Sequence, residues 1–161
     1  MLTHMEDSVE IPMSLPLDSE GFLRRECPTC EREFKWSAAP EGESEPMADG
    51  DYFCPYCGVQ APPDAWWTKA QLALAKSIVS REVVLPGLDG LRRNLSQIAR
   101  SSGGAVKFKM GPRKSPPEQD PLTETDDMKR MDFPCHCREP VKILEDWTQP
   151  VYCLLCGRPT E

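Results

Sequence analysis

Eight cysteines stand in four close pairs along the chain, 27/30, 54/57, 135/137 and 153/156, and none is left over. The first two pairs are Cys27-Pro28-Thr29-Cys30 and, 23 residues further on, Cys54-Pro55-Tyr56-Cys57-Gly58. Two thiolates three positions apart on a tight turn point toward one centre, so two such turns supply the four sulfurs of a tetrahedral zinc site. Pro28 and Pro55 preset one backbone angle of each turn, and Gly58 tolerates a positive one. A second set follows: Cys135-His136-Cys137, then 15 residues, then Cys153-Leu154-Leu155-Cys156-Gly157. Its Cys-x-Cys pair changes how two of the sulfurs converge. His136 is the alternative ligand there, although four cysteines already complete a shell. The expected cofactor is Zn2+, two per chain: one on Cys27, Cys30, Cys54 and Cys57, the other on Cys135, Cys137, Cys153 and Cys156.

Little else in the chain can do chemistry. A four-cysteine zinc site leaves no position for water, whereas catalytic zinc normally keeps one. His4 and His136 are the only imidazoles; one sits in a tail and the other between two candidate ligands. No Gly-rich phosphate cradle is present, and no Ser or Cys nucleophile has a credible base beside it. The expectation is that the protein is not an enzyme. Thiol redox or metal-relay chemistry is the remaining enzymatic alternative, and no pair has the strand–helix–strand setting that favours it.

The chain has 161 residues and a formal net charge of −7, which argues against indiscriminate nucleic-acid binding. Met1 to Glu20 carries five acidic residues and no Lys or Arg. That is no signal peptide, so a reducing cytoplasm with metal-bound thiolates is expected. No apolar run reaches the roughly 18 to 20 residues that a bilayer span requires, and no membrane association is expected.

The elements that must position the cysteines follow from pattern. Residues 1–17, with Pro12 and Pro16 among scattered apolar residues, read as an extended arm. Asp18-Ser19-Glu20-Gly21 is a turn, and Phe22 to Glu26 a strand running into the first knuckle. Phe34 and Trp36 alternate with charges as the chain leaves it, the period of a half-buried strand. Residues 38–51, with Glu41, Glu43, Glu45, Asp49 and Asp51 and no base, form a solvated acidic loop. Pro62-Pro63-Asp64 starts a helix whose apolar face holds Trp67, Ala70, Leu74, Ile78 and Leu85. Pro86-Gly87 breaks it, and a second stripe at Leu88, Leu91, Leu95 and Ile98 ends at Gly103-Gly104, giving a helical hairpin. Val106, Phe108 and Met110 alternate with Lys107 and Lys109 as a short basic strand. Residues 111–121 hold Pro112, Pro116, Pro117 and Pro121 and read as a linker, extended by solvated Glu124 to Asp127. Val141 to Leu144 and Val151-Tyr152 are the strands of the last unit.

Strand, knuckle and strand at residues 18–62 resemble the zinc-ribbon superfamily, whose members include rubredoxin-like metal sites and the ribbons of transcription factors. Residues 130–159 are similar to a compact ribbon of the same kind. What the resemblance implies is structural metal, a fold element rather than a particular function. The expected architecture is small α+β: two zinc ribbons of short antiparallel strands separated by a helical hairpin and a Pro-rich linker. Its units are an arm (1–17), ribbon 1 (18–62), the hairpin with its basic strand (63–110), the acidic Pro-rich linker (111–127) and ribbon 2 (128–161). The linker is expected to keep the ribbons apart.

Between Arg81 and Lys114, eight basic residues face Glu82 and Asp89, a local net of +6. Arg92, Arg93, Arg100, Lys107 and Lys109 are the candidate partner-binding residues. The expected function is a non-enzymatic interaction module or adaptor whose zinc ribbons present a helical and basic surface to a macromolecule, a protein before a nucleic acid. A nucleic-acid-binding, transcription-related ribbon protein is the alternative. The basic segment and Trp36, Trp66 and Trp67 favour it, since cations meet phosphates and rings stack on bases.

Overall fold

A computed structural model describes residues 11–38, 50–109, 111, 112, 115, 117–135 and 137–160. Most of the expected arm, most of the acidic loop, Met110 and both histidines lie outside the described residues. The chain forms two compact units, one of residues 15–72 and 122–161, the other of residues 1–14 and 73–121.

The first unit is built on strands β1 (Phe22–Glu26), β2 (Glu33–Ser37), β5 (Met128–Met131) and β6 (Val141–Leu144), in the order β1-β2-β6-β5, every pair antiparallel. A separate pair joins β3 (Tyr52–Phe53) and β4 (Gln60–Ala61). The fold is thus small α+β with antiparallel strands, but the expected spatial separation of the ribbons does not hold. Strand β2 of the first half pairs with β6 of the second, Lys35 opposite Lys142 and Trp36 opposite Val141. Exchanging the two hairpins leaves the strand order unchanged, so the halves meet as near-equivalents. The reason lies in alternation. Phe34 and Trp36 on β2 and Val141 and Ile143 on β6 present one apolar stripe each, and neither half is large enough to cover its own. Phe34, Val141 and Ile143 are at most 1 % exposed, and burial of each such side chain contributes about 1.5–3 kcal/mol.

Trp66 joins this core at 1 % exposure, edge-on to Phe34 at 5.7 Å. The sequence assigned its neighbour Trp67 to the core. Trp67 instead lies half-buried with its ring 5.0 Å from the Arg25 guanidinium, which is also 4.5 Å from the Trp36 ring. The following helix begins one turn later than expected. Pro63–Ala65 is a short 3-10 turn with no side-chain cap, and the cap is Thr68. Its Oγ1 accepts from the Gln71 amide, while Gln71 Oε1 accepts from the Thr68 amide, both at 3.1 Å. That is a reciprocal capping box.

The opposite face of the sheet carries Arg24, Lys35, Lys142 and Arg130 directly across from one another on the four strands. Like charges in register repel, and an acidic ring answers them. Asp18 Oδ2 accepts from Lys142 Nζ at 2.8 Å and Lys35 Nζ at 3.3 Å, Glu124 pairs with Lys35 at 3.0 Å and Arg24 at 2.7 Å, and Glu20 pairs with Lys142. The Asp18 and Lys35 side chains are fully buried and that of Glu124 is 4 % exposed. The expectation of a solvated stretch from Glu124 onward is therefore corrected at Glu124. Burial opposes the Asp18 charge, yet Lys142, the Phe22 and Glu20 amides and Lys35 outweigh it and hold the carboxyl down at about 2.

In place of a hairpin the chain runs as one helix. Helix α1 (Lys69–Val79) passes through a π-helical turn at Ser80–Val84 into α2 (Leu85–Ser101), with right-handed backbone at Val79, Val84 and Leu85. Pro86 does not break it because the turn before it is widened: the Leu85 amide donates to Ser80 O, five residues back. The missing proline amide and the ring's demand for space fall where the wider turn accommodates them. The apolar stripe meant for a hairpin partner is left in solvent, with Leu88 49 %, Leu91 54 % and Ile98 49 % exposed. No strand forms over 106–109, where Val106 and Phe108 are exposed and find no neighbouring strand to pair with. No helix among the described residues is long and apolar enough to cross a membrane.

Candidate metal centres

Three of the four knuckles share one backbone. The amides of Glu31, Gly58 and Gly157 donate to the carbonyls of Cys27, Cys54 and Cys153 at 3.0, 2.9 and 2.9 Å, closing each loop. The amides of those same cysteines donate to Arg32, Val59 and Arg158 O at 3.0, 2.9 and 2.9 Å. The residue after the second cysteine has positive φ in all four knuckles: Glu31 56°, Gly58 69°, Arg138 52° and Gly157 67°. Gly58 and Gly157 were legible for this role. Glu31 and Arg138 were not, because side chains other than glycine adopt that conformation only at a cost of about 1–2 kcal/mol.

The eight sulfurs come together as two groups, Cys27, Cys30, Cys54 and Cys57 and Cys135, Cys137, Cys153 and Cys156, with every ligand atom of a group within 4.8 Å of the others. Cys27 and Cys57 Sγ are 3.8 Å apart, Cys30 and Cys54 3.7 Å, and Cys135 and Cys153 3.4 Å. A tetrahedron of sulfurs at about 2.3 Å from a central zinc has edges of about 3.8 Å. A disulfide needs about 2.05 Å, and all eight cysteines are free. The donor set therefore fits a thiophilic divalent ion, and in each group sulfurs from different knuckles approach within 3.8 Å.

Backbone amides prepare the sulfurs for negative charge: Thr29 and Cys30 donate to Cys27 Sγ at 3.3 and 3.4 Å, and Tyr56 to Cys54 Sγ at 3.4 Å. Against this, burial pushes the Cys54 thiol up, and that of Cys153 up to about 12. Four thiolates so close together repel one another and require a cation among them.

The two second knuckles pack against each other reciprocally. Phe53 N donates to Leu154 O at 2.8 Å and Tyr152 N to Pro55 O at 2.9 Å. The Tyr152 ring lies against Gly58 and the Phe53 ring against Gly157. Tyr56 bridges further, donating its hydroxyl to Glu33 O at 2.7 Å and accepting from the Leu144 amide at 3.0 Å. Sequence reading missed this link between the centres. Its signal was an aromatic residue before each of Cys54 and Cys153.

The candidate partner-binding residues are placed elsewhere. Arg92, Arg93 and Arg100 lie on α2, while Lys107 and Lys109 lie on the irregular segment after it. Arg92 donates to Gly111 O at 2.8 Å, and the other four are exposed. No family model, curated protein or solved structure matches the chain.

Proposed function

We propose that the chain is a non-enzymatic interaction module in which two structural zinc ions, each held by four thiolates, fix one shared core, and in which the helix docks a protein partner. The observation that carries the metal assignment is the separation of sulfurs contributed by different knuckles, which matches the edge of a zinc–thiolate tetrahedron. Zinc bound there supplies folding free energy, about 10–16 kcal/mol of apparent binding energy per site in small metal-dependent domains. Four cysteines fill its shell, so no substrate-binding position is left. Thiol redox cycling is disfavoured by the same closure, since coordinated thiolates are withheld from exchange.

The partner reading rests on the apolar stripe of α2. Leu88, Leu91 and Ile98 fall on one side of the helix at seam spacing, and all three remain largely exposed. A protein covers such a stripe, whereas phosphates meet cations and leave it wet. Elemental analysis of protein purified without chelator is expected to give two zinc ions per chain, and less than one would overturn the metal assignment. Affinity capture with nuclease treatment is expected to retain a protein that Leu91→Glu combined with Ile98→Glu releases at unchanged zinc content. Capture abolished by nuclease would transfer the role to a nucleic acid.

A further inference from the structure

The apolar stripe of α2 repeats more strictly than packing on one face requires. Val84, Leu88, Leu91, Leu95 and Ile98 follow one another at steps of four, three, four and three, the alternation that makes a seam for a second helix. Val84 is exposed like Leu88, Leu91 and Ile98, and Leu95 is half-buried. The two edges of this seam differ. Along one, Leu85, Arg92 and Ala99 are half-buried, and the chain itself closes in, with Arg92 donating to Gly111 O at 2.8 Å. Along the other stand Gly87, Asn94 and Ser101, seven apart and all exposed, and a Cβ built on Gly87 would meet nothing within 4 Å. The open edge is uncharged and small, so another backbone can come close to it. Arg93 and Arg100 lie two residues beyond Leu91 and Ile98, about 200° further round the helix, and so point away from the seam.

The edge decides what covers the stripe. An acidic protein or an anionic lipid surface is drawn by cations that flank the apolar residues; here Arg92 is turned to Gly111 O, and Arg93 and Arg100 stand at the back. A second copy brings the same uncharged edge. Antiparallel pairing about a two-fold axis near residue 93 sets Leu88 of each copy opposite Ile98 of the other and Leu91 opposite Leu95, and it opposes the two helix dipoles. The same axis brings the two Asn94 side chains next to each other. An asparagine amide carries donor hydrogens and an acceptor oxygen, so two of them across a two-fold axis satisfy one another. The geometry points to a second copy of this chain as the occupant, α2 pairing antiparallel with α2 through Val84 to Ile98, with Asn94 at the axis. The inference rests on the reading that the helix docks a protein, and it names that protein. A seam of 15 residues is only about 22 Å long, short for a permanent dimer with about 800 Å² buried on each side, so the pairing is reversible.

Sedimentation equilibrium of the full zinc-loaded chain is expected to show association from one chain of 18.1 kDa to two, with a Kd of about 10–100 µM, the weak end of specific interfaces. Leu91→Glu should abolish it at unchanged zinc content. Asn94→Lys and Asn94→Glu, both at an exposed position, should each weaken it about tenfold, because each sets like charges together at the axis. An equimolar mixture of these two variants should pair at least as tightly as the native chain. Rescue on mixing marks the antiparallel two-fold, since a parallel pair shifts residue 94 of one copy away from residue 94 of the other. A native chain still monomeric at about 500 µM, well above the expected Kd, overturns the proposal, as does association that Leu91→Glu leaves unchanged or that mixing fails to restore. Sedimentation of an otherwise monomeric chain with vesicles containing phosphatidylserine gives the seam to a membrane and overturns it as well. A monomeric chain that nonetheless captures a protein released by Leu91→Glu with Ile98→Glu defeats this inference alone and leaves the docking reading standing; loss of both association and capture defeats the two together.

Discussion

Gly157 lies under the Phe53 ring so closely that a Cβ there would meet its Cδ1 at 2.7 Å and Cε1 at 2.8 Å, with φ at +67°. Gly21 has a similar φ of +81° and nothing within 4 Å. The comparison separates backbone strain from steric conflict. Gly21→Ala should cost about 1–2 kcal/mol from the left-handed backbone alone, and Gly157→Ala about 1–3 kcal/mol more, because the ring belongs to a packed knuckle. Urea unfolding of the zinc-loaded variants checks this, and the opposite ranking would show that the two knuckles do not rest on each other. At this scale the sequence was largely legible. Eight cysteines were assigned to two groups on spacing alone, and the structure brings together those two groups. What could not be read were left-handed residues that are not glycine, Glu31 and Arg138, because composition carries no trace of a conformation forced on a residue by its neighbours.

Single elements were legible where period and burial agree, as at β1, β2 and β6. They were misread where burial contradicts residue type. Lys35 alternates with apolar neighbours and so reads as solvent-facing, yet a second layer from residues 18–20 and 124–127 covers that face, on which Lys142 also lies. Pro86-Gly87 read as a stop, but one extra residue in the preceding turn absorbs the proline. The charged layer gives the sheet a definite pH response. Asp18 and Glu124 are held below their ordinary values, so their contribution is complete above about pH 5 and is lost as pH falls toward 2. Lys35 and Lys142 are held above theirs, so their contribution is complete below about pH 10 and is lost as pH rises beyond it. Thiolate protonation adds to the acid limb, and ionisation of Tyr56, whose hydroxyl burial pushes up to about 12, adds to the alkaline one. Urea midpoints of the zinc-loaded chain should be level from about pH 6 to 9 and fall above about pH 10; a midpoint rising there would exclude the network as a source of stability.

Across the whole molecule, the pairing of β2 with β6 makes the two centres one structural unit, against the expectation that a linker holds them apart. Cys57→Ser should therefore lower the affinity of both sites. Phe53 and Tyr152 lose their reciprocal contact, and the core under Trp36 and Val141 opens for both halves together. Elemental analysis and chelator competition are the measurements, with well under one zinc per chain expected. A full equivalent retained on the second site would show that the halves are separable. The sequence could not reveal the joint, because a stripe of alternating apolar residues shows that a face must be covered without showing by what. The same pairing has a consequence for the order of synthesis. Asp18 and Lys142 meet across 124 positions, so the sheet cannot close until nearly the whole chain has left the ribosome. The first four sulfurs are complete at Cys57, 85 residues before Lys142, or several seconds at ordinary elongation rates of about 5–20 residues per second. During that interval the nascent first half has all four of its sulfurs but no β6 to cover Phe34 and Trp36, so the order of synthesis leaves this apolar stripe waiting for its partner strand.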